Sequence, residues 1–294
     1  MKMKFFFWIP VTLFLLSCEK GVSIDLDDAS GKLVVDATIE NDRAPVVVLS
    51  KSLGYFSQID ASILSNSFVR DAVVAVSNGT RTHTLKEYSL DLGNGNTLYY
   101  YSIDSNNLAT AFLGELEKDY TLLITWQGRQ YRSQTRIPAT TRQIDSLFWR
   151  PAPAGNEPDQ VSLVVRARDR AGLGDYIRYF TKRNSEPFYP GITSVFDDQV
   201  IDGASYEIEV ERGVNRNEEI EDGYNFFRRG DTITLKLCNI DKATYDFWRT
   251  MEFSYASIGN PFSTPTRILG NIDNGALGYF GGYACQFRSL IIPQ

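Results

Sequence analysis

The chain has 294 residues, of which 43% are hydrophobic and 22% are charged, a composition typical of globular proteins. Its formal net charge of −6 argues against nucleic-acid binding, because the phosphates of nucleic acids demand a basic protein surface. The length exceeds that of one typical domain and predicts either two domains or one large β domain.

The N-terminus has the three parts of a bacterial lipoprotein signal. Lys2 and Lys4 supply positive charge, and an apolar run follows from residue 5 to residue 16. This run is too short for a transmembrane helix, which needs about twenty residues, and it fits the core of a signal peptide. The tetrapeptide that ends at Cys18, Leu-Leu-Ser-Cys, resembles the lipobox of bacterial lipoproteins. We therefore predict that residues 1–17 are removed and that the Cys18 thiolate, the required nucleophile, takes the lipid.

Residues 18–31 are predicted to form a lipidated tether. The segment is acidic, contains few bulky side chains and ends in Ala-Ser-Gly. One interpretation is a solvated spacer. The other is an export signal, because Glu19 and the acidic run at 25–28 resemble the acidic residues that follow the lipidated cysteine in surface lipoproteins of the Bacteroidota.

Residues 32–138 are predicted to form an N-terminal β-sandwich. Apolar side chains at Leu33, Val35 and Ala37 alternate with polar ones, which is the pattern of a half-buried strand. Asn78-Gly79 is the preferred centre of a type I′ hairpin turn. About seven short strands with turn signals between them are typical of a sandwich.

The prolines and glycine between Pro151 and Pro158 mark a boundary, so we predict a linker over 139–160. Strand patterns resume in 161–294, which we interpret as a C-terminal β-rich domain that includes a closing strand at 285–292. A helix is predicted at 242–256, capped by Asp241, with an apolar stripe expected to be core at four positions: Tyr245, Trp248, Met251 and Tyr255. The predicted fold is mostly β, with two sandwich domains of the immunoglobulin-like or transthyretin-like kind and one amphipathic helix in the second.

Two cysteines remain after Cys18 is assigned to the lipid. Cys238 and Cys285 are an even pair in an exported chain, where the compartment is oxidising. A disulfide between them and two buried thiols are both compatible with the sequence. In either case we interpret them as structural.

No arrangement of residues in the sequence indicates catalysis, a metal site or a cofactor. The single histidine, His83, is expected to be an exposed strand residue, and one histidine argues against a zinc site. The acidic loop that contains Asp197, Asp198 and Asp202 is interpreted as a turn, with a calcium or partner site as the alternative. We therefore predict no enzyme activity and no cofactor.

Aromatic residues in predicted loops are candidate contacts for a partner protein. Phe188 and Tyr189 lie in one long loop, and Phe226 and Phe227 lie in another. Exposed aromatic side chains are common anchors of protein interfaces. The alternative is that these side chains fold back over the sandwich.

Several short motifs follow one another in a characteristic order along the chain. They are Leu33-Val34-Val35, Ile144-Asp145-Ser146-Leu147, Gly230-Asp231, Ile240-Asp241, Tyr245-Asp246-Phe247-Trp248, Asn260-Pro261-Phe262, Gly270-Asn271-Ile272 and Gly278-Tyr279-Phe280. Together they resemble a Bacteroidota outer-membrane lipoprotein family catalogued as a domain of unknown function, DUF4249. The resemblance covers nearly the whole mature chain and is strongest toward the C-terminus. It implies a non-enzymatic lipoprotein that is often encoded beside a TonB-dependent transporter, and it supplies no functional residues.

The leading expectation is a surface-facing outer-membrane lipoprotein that works as a lid or a substrate-capturing accessory of a TonB-dependent transporter. The lipid would hold the protein in the same membrane as the transporter. The tether would then raise the effective concentration of the protein near the barrel, so that even weak docking gives a stable association. One alternative is a subunit of an outer-membrane assembly or secretion complex. Another is a surface glycan-binding module or hydrolase.

Overall fold

The computed structural model describes residues 31–53, 66–93, 96–199, 203–220, 222–258 and 266–294. The predicted signal peptide, Cys18, Asp202 and nearly all of the tether lie outside these residues. Within the described ranges, no helix is both long enough and apolar enough to cross a membrane.

Strands dominate the described residues, which confirms the predicted mostly β fold. The first half of the chain forms β1 (Leu33–Glu40), β2 (Val46–Lys51), β3 (Val73–Ser77), β4 (Thr82–Thr84), β5 (Lys86–Gly93), β6 (Asn96–Ser102), β7 (Lys118–Trp126) and β8 (Arg129–Ile137). The second half forms β9 (Gln143–Pro151), β10 (Gln160–Arg168), β11 (Tyr176–Arg183), β12 (Tyr189–Asp197), β13 (Ser205–Val210), β14 (Phe227–Arg228), β15 (Thr232–Ile240), helix α1 (Lys242–Ala256) and β16 (Leu277–Ile291).

One eight-stranded sheet runs through both halves of the chain, in the order β12-β11-β15-β16-β1-β2-β6-β5. The long strand β16 joins the halves. Its first part pairs in parallel with β1, from Leu277 to Tyr283, and its second part pairs antiparallel with β15. The C-terminal strand is therefore a structural element of both sandwiches.

The N-terminal sandwich packs the four-stranded sheet β4-β3-β7-β8 against β1, β2 and the first part of β16. The alternation read from the sequence places Leu33, Val35 and Ala37 in this core, all nearly inaccessible to solvent. Gly282 of β16 lies directly against β8, since a Cβ there would be 2.4 Å from the Arg136 carbonyl oxygen.

The C-terminal sandwich places β9, β10, β13 and β14 opposite β11, β15 and the end of β16. Strand β9 falls within the segment predicted to be a linker, and it pairs with β10. The prolines and glycine that suggested a linker lie at the end of β9 and in the turn before β10. Ile144, buried in the core, shows that the start of this segment is a strand and not a spacer.

Helix α1 has the predicted bounds and the predicted cap. The Asp241 side chain accepts a hydrogen bond from the Thr244 backbone N–H at 2.8 Å, and its second oxygen accepts from the Thr135 hydroxyl and the Arg136 N–H of β8. The helix covers the face of the large sheet that points away from the C-terminal sandwich core. Within the predicted stripe Tyr255 is exposed instead of buried.

A buried polar network lies beneath α1. The Tyr283 hydroxyl accepts hydrogen bonds from Arg178 Nη1 at 3.2 Å and from Trp248 Nε1 at 3.0 Å, and it contacts the Tyr279 hydroxyl at 3.2 Å. The Arg178 guanidinium also lies over the Trp248 ring, 3.4 Å from its centroid. These contacts fix the helix on the sheet through groups that are themselves hydrogen-bonded, as buried polar groups require.

Cys238 and Cys285 are joined by a disulfide that links β15 to β16. The two residues are directly opposite each other in the antiparallel pairing of these strands. Of the two arrangements open from the sequence, the structure contains the disulfide. It ties the shared strand to the middle of the large sheet.

A candidate ligand-binding cavity in the C-terminal sandwich

A cavity of about 650 Å³ lies between the two sheets of the C-terminal sandwich. Strands β10 and β13 form one wall, and β11, β12 and β15 form the other. The volume falls within the range of about 300–1,000 Å³ that is typical of small-molecule sites. Its position between two sheets makes it an unfilled part of the sandwich core.

The walls are mainly apolar, as the strand alternation directs these side chains inward. The inward-facing apolar wall residues are Val165, Ala167, Ile177, Tyr179, Val210, Leu235 and Leu237. Replacing Gly191 with any larger residue would disturb this wall, because a Cβ there would be 2.0 Å from the Tyr179 hydroxyl oxygen. Burial raises the pKa of Tyr179, which keeps its phenol uncharged to a more alkaline pH than that of a solvated tyrosine.

The cavity opens between the edge strands β12 and β13, which belong to different sheets. Phe196 of β12 and Ile208 of β13 line it and are 37% and 41% exposed. The Phe196 ring stacks on Tyr179 with centroids 6.1 Å apart. Large apolar side chains that line an opening in this way offer a surface for an apolar molecule to enter.

One charged side chain lines the cavity from a fully buried position. Arg142 is 1% exposed, and its Nε–H donates to Asp169 Oδ1 at 3.2 Å. In the described part of the chain, Arg142 Nη2 and Asp169 Oδ2 have no hydrogen-bond partner. Both atoms have almost no accessible surface, and Asp169 does not line the cavity, so the ion pair is a structural part of the wall.

Strand β16 holds the turn that carries Arg142. The Gln286 side chain accepts a hydrogen bond from the Ile144 N–H at 3.1 Å and donates to the Arg142 carbonyl oxygen. The guanidinium also lies 5.7 Å from the centroid of the Tyr206 ring. The arginine is therefore positioned by strands far apart in the sequence.

Carboxylates make the remaining charged lining of the cavity negative. Asp197, Glu209 and Glu211 all line it. The Tyr245 hydroxyl donates to Asp197 at 3.2 Å, which connects helix α1 to this wall. The formal charge of the lining is thus one arginine against three carboxylates.

The aromatic residues predicted as partner contacts have different environments. Phe188 is partly exposed and packs edge-on against Phe287, while Tyr189 and Phe226 are half-buried. Phe227 is completely buried in the core of the C-terminal sandwich, so its prediction as a partner contact is wrong. Its backbone pairs with Val161 of β10, and its side chain fills space between the two sheets.

His83 is buried instead of exposed, which corrects the sequence expectation. Its Nε2 accepts a hydrogen bond from the Asp104 N–H at 3.0 Å, so Nδ1 carries the proton that is donated to the Thr110 hydroxyl. Loss of hydration lowers the pKa of His83, although Asp104 opposes this effect. The imidazole fixes a loop in the N-terminal sandwich.

The acidic loop is structural where it is described. Asp198 is buried and accepts hydrogen bonds from the N–H groups of Gly174 and Asp175, each at 2.9 Å. Among the residues with described positions, no three histidine, cysteine or acidic side chains are grouped so that they could hold a metal ion.

Comparison with known proteins places the chain in a family. No curated protein matches it. A family model described as a domain of unknown function, DUF4249, matches residues 19–287, which include helix α1 and both sandwiches except the last residues of β16. The protein therefore belongs to the DUF4249 family.

Proposed function

We propose that the protein is a non-enzymatic, lipid-anchored protein of the bacterial outer membrane that captures a small apolar molecule in its C-terminal sandwich. The observation that carries this proposal is the apolar cavity of about 650 Å³ with its opening between β12 and β13. Pockets of this size and composition commonly hold small ligands.

The N-terminal sequence supports the membrane location. The lipobox-like segment before Cys18 predicts acylation, and several buried acyl chains anchor a protein durably. In the proposed arrangement the acidic tether, residues 18–31, places the body at the outer surface of a Bacteroidota cell.

The proposed partner is an outer-membrane β-barrel, specifically a TonB-dependent transporter that receives the captured molecule. Tethering beside the barrel raises the local concentration of the protein to the millimolar range for a short flexible linker. Purification of the full chain from native outer membranes in mild detergent is expected to recover such a barrel with it. A chain that is always recovered alone would contradict the partnership.

Filling the cavity is expected to weaken ligand binding. Ala167 lines the cavity and is buried, so the phenyl ring of Ala167→Phe would occupy space that the ligand needs. The expected loss of affinity for dodecane is at least about tenfold, which corresponds to 1.4 kcal/mol. The measurement is dialysis of lipid nanodiscs that carry the full lipidated chain against empty nanodiscs, with the excess dodecane quantified.

The matched control is Val73→Phe, which adds a phenyl ring at an exposed position in the N-terminal sandwich. This variant is expected to bind dodecane like the wild type. Equal binding by the wild type and Ala167→Phe would show that the cavity is not the capture site.

A further inference from the structure

We propose that an apolar surface at the end of the body where the tether enters lies directly against the lipid bilayer. This tether-end surface consists of four exposed apolar side chains: Phe253, Ile268, Leu269 and Leu277. The inference rests on the lipid anchor of the proposed function. It goes further by naming the face of the protein that meets the membrane.

The tether enters the body at the start of β1. Gly31, the first described residue, donates its N–H to the Ser52 carbonyl oxygen at 2.9 Å, and β1 begins at Leu33. A fully extended chain from Cys18 to Gly31 spans at most about 45 Å. A lipid on Cys18 therefore keeps Gly31 within that distance of the bilayer, and the end of the body around Gly31 is the end nearest the anchor.

Strand β16 and the segment before it bring two members of the surface to this end. Leu277 is opposite Val34 in the parallel pairing of β1 with β16. The preceding segment runs against the same strand, because a Cβ at Gly270 would be only 2.4 Å from the Gly278 carbonyl oxygen. Leu269, which adjoins Gly270, therefore lies beside the start of β16.

Helix α1 brings a third member, and the fourth lies between the helix and the sheet. The Leu269 N–H donates to the Thr250 hydroxyl at 3.1 Å, and Phe253 follows Thr250 by about one helical turn. Ile268, next to Leu269, lines a cleft together with Met251 of the helix. The four exposed side chains therefore surround one junction of α1, β1 and β16.

The cleft at this junction has a volume of about 680 Å³ and extends the apolar surface inward. Its lining is mainly apolar and includes Met251 and Ala276, with Arg267 and Asp36 as its charged groups. Loss of hydration raises the pKa of Asp36. Arg267 is exposed, so its guanidinium can stay among lipid headgroups while the neighbouring apolar side chains insert.

The anchor selects the bilayer as the partner of this surface. Single exposed apolar side chains are normal in soluble proteins, whereas a contiguous group is typical of a contact surface. Because the proposed lipid keeps this end of the body beside the membrane, a weak attraction is enough for docking. The charge of Arg267 adds an attraction to anionic headgroups.

The test measures how accessible a nitroxide label at Leu269→Cys is to water, with the full lipidated chain anchored in vesicles of phosphatidylethanolamine and phosphatidylglycerol. The matched control is a label at Leu113→Cys, since Leu113 and Leu269 are 48% and 47% exposed. Leu113 is at the other end of β1, because the carbonyl oxygen of Gly114 bonds the Asp42 N–H. Collisions with a water-soluble nickel complex are expected to be at least about tenfold rarer at Leu269, which corresponds to a docking preference of about 1.4 kcal/mol.

A double variant, Ile268→Glu with Leu277→Glu, places two charges on the tether-end surface without changing the labelled position. Moving a carboxylate out of water into lipid is costly, so the anchored variant should stand away from the bilayer. Its label at Leu269 is then expected to become accessible to the nickel complex. The matched control, Leu90→Glu with Leu92→Glu, makes the same change at two exposed positions of β5 and should leave the label protected.

Flotation of the chain with the vesicles separates this inference from the anchor on which it rests. A wild-type chain that floats but is equally accessible at both labels would overturn the tether-end surface and leave the anchor intact. A chain that does not float would overturn both. Protection that survives the two glutamates, or that is found in native outer membranes but not in pure lipid, would overturn contact with the bilayer. The comparison of the two labels decides the matter even if the double variant does not fold.

Discussion

Gly278→Ala is expected to prevent folding or to lower the free energy of unfolding by more than about 4 kcal/mol, a size reserved for severe steric and backbone defects. Gly278 has a φ of 96°, a conformation that residues with a Cβ rarely adopt. A Cβ at this position would also lie 1.9 Å from the Val35 carbonyl oxygen. The backbone of β1 would have to move, because a backbone carbonyl oxygen held in a sheet cannot rotate away as a side chain can.

The effect is large because Gly278 is in the strand that both sandwiches share. Val35 and Gly278 are partners in the parallel pairing of β1 with β16. Gly275→Ala is the matched control, since Gly275 also has a positive φ, of 77°, but a Cβ there meets nothing within 4 Å. The control should cost about 1 kcal/mol from backbone strain alone. Equal stabilities of the two variants in denaturant unfolding would contradict this account of β16.

Raising the pH above about 10, the usual pKa of tyrosine, is expected to destabilise the protein steeply. Burial raises the pKa values of Tyr179, Tyr279 and Tyr283 in the folded protein. Above pH 10 the unfolded chain therefore releases protons that the folded chain retains, and this favours unfolding. The stability is fully present below the unfolded pKa and is lost as the pH rises toward the folded values.

The size of the alkaline effect follows from the number of buried phenols. Each contributes up to about 1.4 kcal/mol per pH unit, so these three alone give up to about 4 kcal/mol per pH unit. Burial also raises the pKa values of other tyrosines, such as Tyr101 and Tyr120, which makes the slope steeper. The measurement is urea unfolding at a series of pH values, with tyrosinate absorbance recorded in parallel. Tyr279→Phe removes one of these groups and should reduce the slope by up to about 1.4 kcal/mol per pH unit. A free energy of unfolding that stays constant between pH 10 and pH 12 would contradict the burial of these phenols.

The sequence predicts those parts of the fold in which local pattern and burial agree. The alternation in β1 and the cap at Asp241 both indicate the observed elements, because each depends on neighbouring residues. Strand β9 was missed because the prolines and glycine at its end outweigh the alternation that begins at Ile144. The predicted closing strand begins only at residue 285, because the glycines in the first part of β16 weaken the strand pattern. In the structure these glycines are required by the close approach of β1 and β8.

The candidate site was not predicted, for a different physical reason. Its wall residues, such as Val165 and Leu237, follow the same alternation as a filled core, and no local pattern distinguishes a cavity from packed side chains. Arg142 lies in the predicted linker, where an arginine is normally solvated. Its burial depends on Asp169, 27 residues away, and on Gln286, 144 residues away. The one indication of this site in the sequence is that the charged residue Arg142 lies directly before the alternating pattern of β9.

The central claim is that an apolar molecule binds between the two sheets of the C-terminal sandwich. The most direct measurement is a crystal structure of the full chain with a terminally brominated dodecane, in which anomalous scattering locates the bromine. The bromine is expected inside the cavity, among side chains such as Val165 and Leu237. Bromine found at another surface, or no bromine under conditions that saturate binding, would contradict the account.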